Sequence, residues 1–370
     1  MPDYPRQCLF LDYRHIRCGD LQWFTPDGAP LPLRNPPEPP TSACARPRFM
    51  PRGVRLQAEP AAQEGPVEGL GGSVIVDGGL YRCWDAELGG EAGAAEVRLV
   101  CRESPDGRQW RTAAVSAISV GGQDTCLEGW GFFKDPNGIP SERYKAVYSP
   151  RPPKGEWARL WEGYRHRHPR FRDERLAPEV KMRVLLGAVS PDGLQWTLLP
   201  EPLMVHMSDT DTTVYYDSAL RKYVLYTRRY THDRRSIGRA ESDDFRHWGP
   251  IFPCIEPEMD DLTTDIYTNG RTEYPGLPQY HLMFPMFYHR WDQTADIHLY
   301  SSADGVAWRR VPGGPVIRTG PGGRWDSEFI SSGKNLVPLG TDRVAVPYEG
   351  TPYPHKYPRW SAVRQCWPGV

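Results

Sequence analysis

The chain has 370 residues, with 36 Gly, 39 Pro and 13 Trp, and 45 basic against 46 acidic side chains leave a formal charge of −1. Gly and Pro make up roughly a fifth of it, above ordinary usage, and punctuate it too often for a long helical bundle. The balanced charge offers no global field for nucleic acid or an anionic membrane. No window supplies the ~20 consecutive apolar residues of a membrane span, and the 12% aromatic content argues against disorder.

In chain order, residues 9–16 (LFLDYRHI) read as a strand. No basic segment followed by a long apolar run precedes it, so no signal peptide is expected and the cytoplasm is the default location. Residues 28–63 are Pro-rich, with PPEPP at 36–40 reading as an extended polyproline connection. Five strand–turn–strand units then follow, at residues 71–84, 129–148, 212–227, 266–287 and 329–348. Residues 157–178 form a polar insertion, and the basic run at 165–175 reads as a solvated linker. The eight Cys are scattered without a C-x-x-C pair, and Cys83 and Cys101 sit in apolar runs as expected of buried thiols.

A repeated motif punctuates these units. Ser104-Pro-Asp106-Gly107-x-x-Trp110 is matched by Ser190 to Trp196, Ser242 to Trp248 and Ser302 to Trp308. The Asp is expected to accept backbone N–H bonds in a tight turn, the Gly to take positive φ, and the Trp to pack beneath as the next strand begins. Such corners, spaced one sheet apart, spell an all-β, five-bladed β-propeller. The expected organisation is an N-terminal strand and Pro-rich connection over 1–60, the propeller over 61–360 and a tail over 361–370. The fifth blade is expected to be incomplete unless residues 9–16 and 18–34 supply its outer strands.

The inner strands of a propeller converge on its axis, and an acid precedes each: Glu68, Glu128, Asp209 with Asp211, Asp265, and Asp326 with Glu328. Acids also cap turns and strand ends, so each taken singly has that alternative. Together they predict an axial cluster in which one carboxyl keeps its proton while another is ionised, the arrangement that glycoside hydrolysis needs. Trp130, Tyr215, Tyr267 and Trp325 lie beside these acids as sugar-stacking or core residues, and Arg271 and His206 as contacts to sugar hydroxyls or as exposed strand-end residues. No zinc-type His spacing, nucleophile elbow, phosphate loop or dinucleotide fingerprint is present, so neither metal nor cofactor is expected.

The hairpins with their corners resemble the five-bladed propeller glycosidases of glycoside hydrolase families 32, 43, 68, 117 and 130. The segments LFLDYRHI, FFKDPNGIPSERYKAVY and HMSDTDTTVYYDSALRKYVLY are most similar to uncharacterised family-32-like proteins. The resemblance implies a carbohydrate substrate, with catalytic acids among Glu68, Asp209, Asp265, Asp326 and Glu328; Asp211, Glu128, Arg271, His206, Trp325 and Tyr267 are the expected binding residues. Asp135-Pro-Asn-Gly138 resembles the family 32 nucleophile motif, but here it follows the inner strand and reads as a hairpin turn. The alternative function is a non-catalytic carbohydrate-binding or protein-interaction propeller, because the fold alone does not choose a chemistry.

Overall fold

Short apolar runs of β-branched and aromatic residues, each closed by a Gly, Asp or Pro turn, leave the chain little but antiparallel meanders to form. The computed structural model describes residues 9, 11–12, 23–24, 30–31, 56–89, 96–119, 129–151, 155–156, 158–160, 183–206, 208–258, 261–340 and 343–355. Within these residues the architecture is a five-bladed β-propeller.

Blade one is the meander Ser73–Asp77, Leu80–Gly89, Glu96–Ser104 and Arg111–Ser119. Blade two runs Gly131–Lys134, Tyr144–Tyr148 and Arg183–Ser190, whose two ends pair with Thr197–Leu198 and Met204–His206. Blade three is Thr213–Asp217, Lys222–Thr231, Arg234–Ser242 and Phe252–Ile255. In blade four each of the first three strands is interrupted, so the blade divides into two sheets. One holds Arg271–Tyr274, Leu277–Met283, Tyr300–Ser302 and Trp308–Arg310; the other holds Thr264–Ile266, Met286–His289 and Ala295–Ile297. Blade five consists, among the described residues, of Phe329–Ser332 against Tyr348–Thr351 and Val337–Leu339 against Arg343–Ala345.

The core is the set of seams between blades. Trp84 and Leu99 of blade one pack with Phe132 and Tyr144 of blade two. Phe133 and Leu185 of blade two meet Tyr223 and Leu225 of blade three, and Val224 and Tyr226 of blade three meet Ile266 and Met283 of blade four. Leu282 and Ile297 of blade four meet Ile330 and Leu336 of blade five. Val337 of blade five meets Val74 and Cys83 of blade one, closing the ring. The closing seam also carries backbone bonds: Lys334 N–H donates to Gly72 O at 2.8 Å and Val74 N–H to Lys334 O at 3.3 Å. Cys83 and Cys101 are buried free thiols, as their apolar surroundings predicted.

The corners have the predicted internal bonding. Asp106 Oδ1 accepts the N–H groups of Arg108 and Gln109, both at 2.9 Å, and Ser104 Oγ accepts that of Gly107 at 2.9 Å. The other three corners repeat the Asp bonds. Each corner also touches the preceding blade: Trp84 Nε1 of blade one donates to Gly193 O at 2.8 Å, and Tyr226 OH of blade three donates to Gly305 O at 2.5 Å.

Among the described residues the fifth blade has no such corner to lay on blade four. Residues 56–63 cover that seam instead, with Ala58 N–H on Pro312 O at 2.5 Å, Ala61 N–H on Val316 O at 2.7 Å and Gln63 Nε2 on Arg318 O at 2.8 Å. Leu9 and Leu11 lie against blade four through Tyr280 OH and Ser301 Oγ and are not in a strand. Asp12 is also not in a strand, and the rest of the expected 9–16 strand, most of the insertion at 157–178 and the tail at 361–370 fall outside the described residues. No helix among the described residues is long and apolar enough to cross a membrane.

Candidate functional site

The blades approach closely at the axis because glycine occupies key points. A Cβ on Gly131 would lie 2.3 Å from Thr212 O of the next blade. On Gly270, at φ +49°, a Cβ would lie 2.5 Å from Phe284 O and 2.6 Å from Ser332 Oγ, so no other residue fits either place without moving backbone.

Between the blades opens a funnel of about 410 Å³, within the range of small-ligand sites. All five blades contribute to its wall: Ser73 and Asp85 from blade one, Trp130 from blade two, Asp211 at the start of blade three, Tyr267 and Met286 from blade four, and Lys334 and Glu349 from blade five. Tyr353 and His355 complete the rim.

Among the described residues three carboxylates line the funnel. Asp211, 8% exposed and at φ +22°, accepts the N–H groups of Asn269 at 2.9 Å and Gly270 at 3.1 Å through Oδ2. Lys334 Nζ lies 3.2 Å from its Oδ1 and also donates to Trp130 O. Lys334 thus ties blade five to blades two and three at the funnel floor.

Asp85 follows Trp84 in the second strand of blade one and is bonded by Arg102 Nη1 and by the Gly72 N–H. Burial pushes its carboxyl above the ordinary carboxylate range, even against the pull of that guanidinium and N–H. Glu349 follows Tyr348 in the second strand of blade five and is exposed; its Oε1 lies 3.9 Å from the point a Cβ on Gly72 would occupy. Asp85 and Glu349 therefore reach the same glycine from adjoining blades.

The acids read from the sequence are placed differently from one another. Asp211 lines the funnel, as does Tyr267. Asp209 lies beside it, paired with Arg228 and, at 3.6 Å, with Arg183; burial opposes its charge, but the two guanidiniums outweigh that and hold the carboxyl below its ordinary range. Asp265 is fully buried between Arg235 at 2.6 Å and Arg290 at 2.8 Å. Asp326, also fully buried, is bonded by Arg324 at 3.2 Å and by Tyr348 OH at 2.9 Å. Glu68 is exposed in a turn and Glu328 half-buried, neither in the funnel lining. Glu128 falls outside the described residues.

The expected binding residues divide similarly. His206 is fully buried, its Nδ1 3.2 Å from Thr227 Oγ1, and burial drives its pKa down to about 3. Arg271 is 5% exposed, 3.1 Å above the Tyr215 ring and paired with Glu273 at 2.8 Å. Trp325 stacks on Tyr348 at 5.3 Å, outside the funnel lining. Two guanidiniums lie over the Tyr267 ring, Arg228 at 4.2 Å and Arg235 at 4.5 Å, while its hydroxyl meets His355 Nε2 at 3.1 Å. Tyr267 thus presents its hydroxyl edge more readily than a bare face. Asp135 makes the expected turn, accepting Asn137 N–H at 2.8 Å, and is buried against Lys145 at 2.6 Å.

Sequence reasoning missed Asp85, Glu349 and Lys334, because it read only the residues ahead of the inner strands. The available signal was the aromatic–acid pair in the second strand, Trp84-Asp85 and Tyr348-Glu349. Among the described residues no group of three or more His, Cys, Asp or Glu is placed to hold a metal ion.

The fold and axial funnel define the class: a five-bladed propeller with a polar, carboxylate-bearing cleft at its axis. No family model and no curated protein matches the chain. Solved structures similar to it include many glycoside hydrolases of propeller families. One glycoside hydrolase is 14% identical, with 80% of this chain and 92% of that one covered and a TM-score of 0.49. An α-L-arabinanase from Penicillium chrysogenum complexed with arabinobiose is 11% identical, with 81% and 80% covered and a TM-score of 0.46. An N-acetylgalactosamine deacetylase from F. plautii, in complex with blood group B trisaccharide, is 13% identical, with 79% and 85% covered and a TM-score of 0.46. At these values the fold rests on the blades themselves.

Proposed function

We propose that the chain is a glycoside hydrolase that binds an oligo- or polysaccharide in the axial funnel. The observation that carries this reading is the pair Asp85 and Glu349, two carboxyl groups in different environments that both lie near Gly72 on the funnel wall. The half-buried Asp85, its carboxyl pushed up by burial, is the proton donor to the leaving oxygen, and the exposed Glu349 is the base or nucleophile. The C–O bond breaks as the leaving oxygen takes the Asp85 proton, and water supplies the new bond to the sugar. Asp211 and Lys334 hold the floor, while Asp209, Asp265 and Asp326 act as positioning groups through their arginines. Trp130 Nε1 and Thr268 Oγ1 are buried beside the funnel without a hydrogen-bond partner among the described residues.

One observation favours the second reading, a non-catalytic sugar-binding propeller: Arg102 bonds Asp85 as arginines bond Asp209, Asp265 and Asp326. Hydrolysis of a panel of 4-nitrophenyl glycosides and oligosaccharides decides between them. Asp85→Asn and Glu349→Gln are each expected to lower kcat by about 10²–10⁴ with the fold retained. In Arg102→Met, removal of the lowering cation moves the alkaline limb of the activity profile to higher pH. Saccharide binding without turnover by the native protein would sink the catalytic reading.

A further inference from the structure

The hairpin at residues 290–294 in blade four stands next to the funnel mouth. Gln293 O accepts the backbone N–H of His355 at 3.0 Å, and His355 lines the funnel. This hairpin is braced from several directions. Arg290 Nη2 lies 2.8 Å from buried Asp265 and donates to Asp233 O at 2.8 Å, while its backbone N–H donates to Thr263 O at 2.8 Å. Asp292 Oδ1 accepts the N–H and the hydroxyl of Thr294 at 3.0 and 2.8 Å.

On this braced turn Trp291 is 75% exposed, and Leu262, beside Thr263 across the Arg290 bond, is 69% exposed. They are the two most exposed large apolar side chains among the described residues. Charged Asp261, Arg290 and Asp292 flank them. One indole and one isobutyl group are far less than the roughly 1,000 Å² of a protein interface. An indole face does suit the C–H face of a single sugar ring, and a pinned hairpin loses little freedom when it binds.

We infer that Trp291 is an outlying sugar-stacking position and that the substrate is therefore a chain of several sugars leaving the funnel across blade four. This rests on the carbohydrate reading of the funnel and adds to it the length and direction of the substrate.

The test uses the full chain and its Trp291→Ala and Trp291→Phe variants in two assays: electrophoresis through gels containing arabinan, inulin, galactan or β-mannan, and hydrolysis of 4-nitrophenyl glycosides. Trp291→Ala is expected to weaken retardation by the bound polysaccharide about 5- to 10-fold, Trp291→Phe to retain most of it, and turnover of the short glycosides to stay unchanged in both. Retardation equal to the native protein's in Trp291→Ala, with glycoside turnover intact, overturns the inference and leaves the funnel reading standing. Trp291-dependent retardation without any turnover upholds the inference as a binding site and removes the catalytic reading. Neither retardation nor turnover in the native protein removes both.

Discussion

Asp211 combines positive φ, burial and a functional position. A non-glycine residue at φ +22° is disfavoured, and what keeps it there is the pair of N–H groups from Asn269 and Gly270 on its carboxylate, reinforced by Lys334. His206 shows the opposite residue-scale outcome: full burial keeps its ring neutral, with a pKa near 3 against an ordinary 6.5. As pH falls below 6.5 the unfolded chain takes up a proton that the folded chain refuses, so stability is lost progressively down toward the folded value. The Tm of a His206→Asn variant, followed from about pH 7 to about pH 4, is therefore expected to fall less steeply than that of the native protein.

At the scale of the element, the corner motif joins blades as well as turning strands. Its Asp satisfies the turn, and the residue after it packs against the preceding blade. In blade three that residue is Phe245 where the other corners have Gly, and it adopts φ +69° with its ring fully buried against Phe133 and Tyr223. Phe245→Gly would relieve a left-handed penalty of ~1–2 kcal/mol but forfeit the ~3–5 kcal/mol typical of deleting a buried Phe. A net loss of about 1–4 kcal/mol is expected in urea unfolding. A stabilised variant would show that the strain outweighs the packing.

On the scale of the whole molecule, a propeller is stable only when its last blade meets its first. Here the closing seam holds Val74, Cys83 and Val337, the Lys334 backbone bonds to Gly72 and Val74, and the Lys334 ammonium inserted among blades two, three and five. Removing one partner of a buried ion pair typically costs about 3–5 kcal/mol, so Lys334→Met is expected to destabilise by that order. The Lys334→Met/Asp211→Asn double variant should lose less than the sum of the single losses, because both act on one interaction. Additive losses in urea unfolding would place the ammonium's contribution elsewhere.

The blade count, the hairpins and the corner chemistry were legible in the chain because each is set by contacts a few residues apart: an Asp bonding the next turn, a Gly at positive φ, a Trp under its own corner. A shortage of strands after Tyr348 was also visible, and with it the expectation of an incomplete fifth blade unless residues 9–16 and 18–34 supply its outer strands. Which carboxylates face the axis was not. An acid at a strand start reads the same whether it points into the funnel, as Asp211 does, or is neutralised by arginines from strands distant in sequence, as Asp265 is by Arg235 and Arg290. Residues 56–63 likewise carry no local mark of the seam they cover. Local order follows from neighbouring residues, whereas the ionic partners and the open volume of the site depend on the closed ring, which alone brings residues as far apart as Asp85 and Glu349 to one glycine.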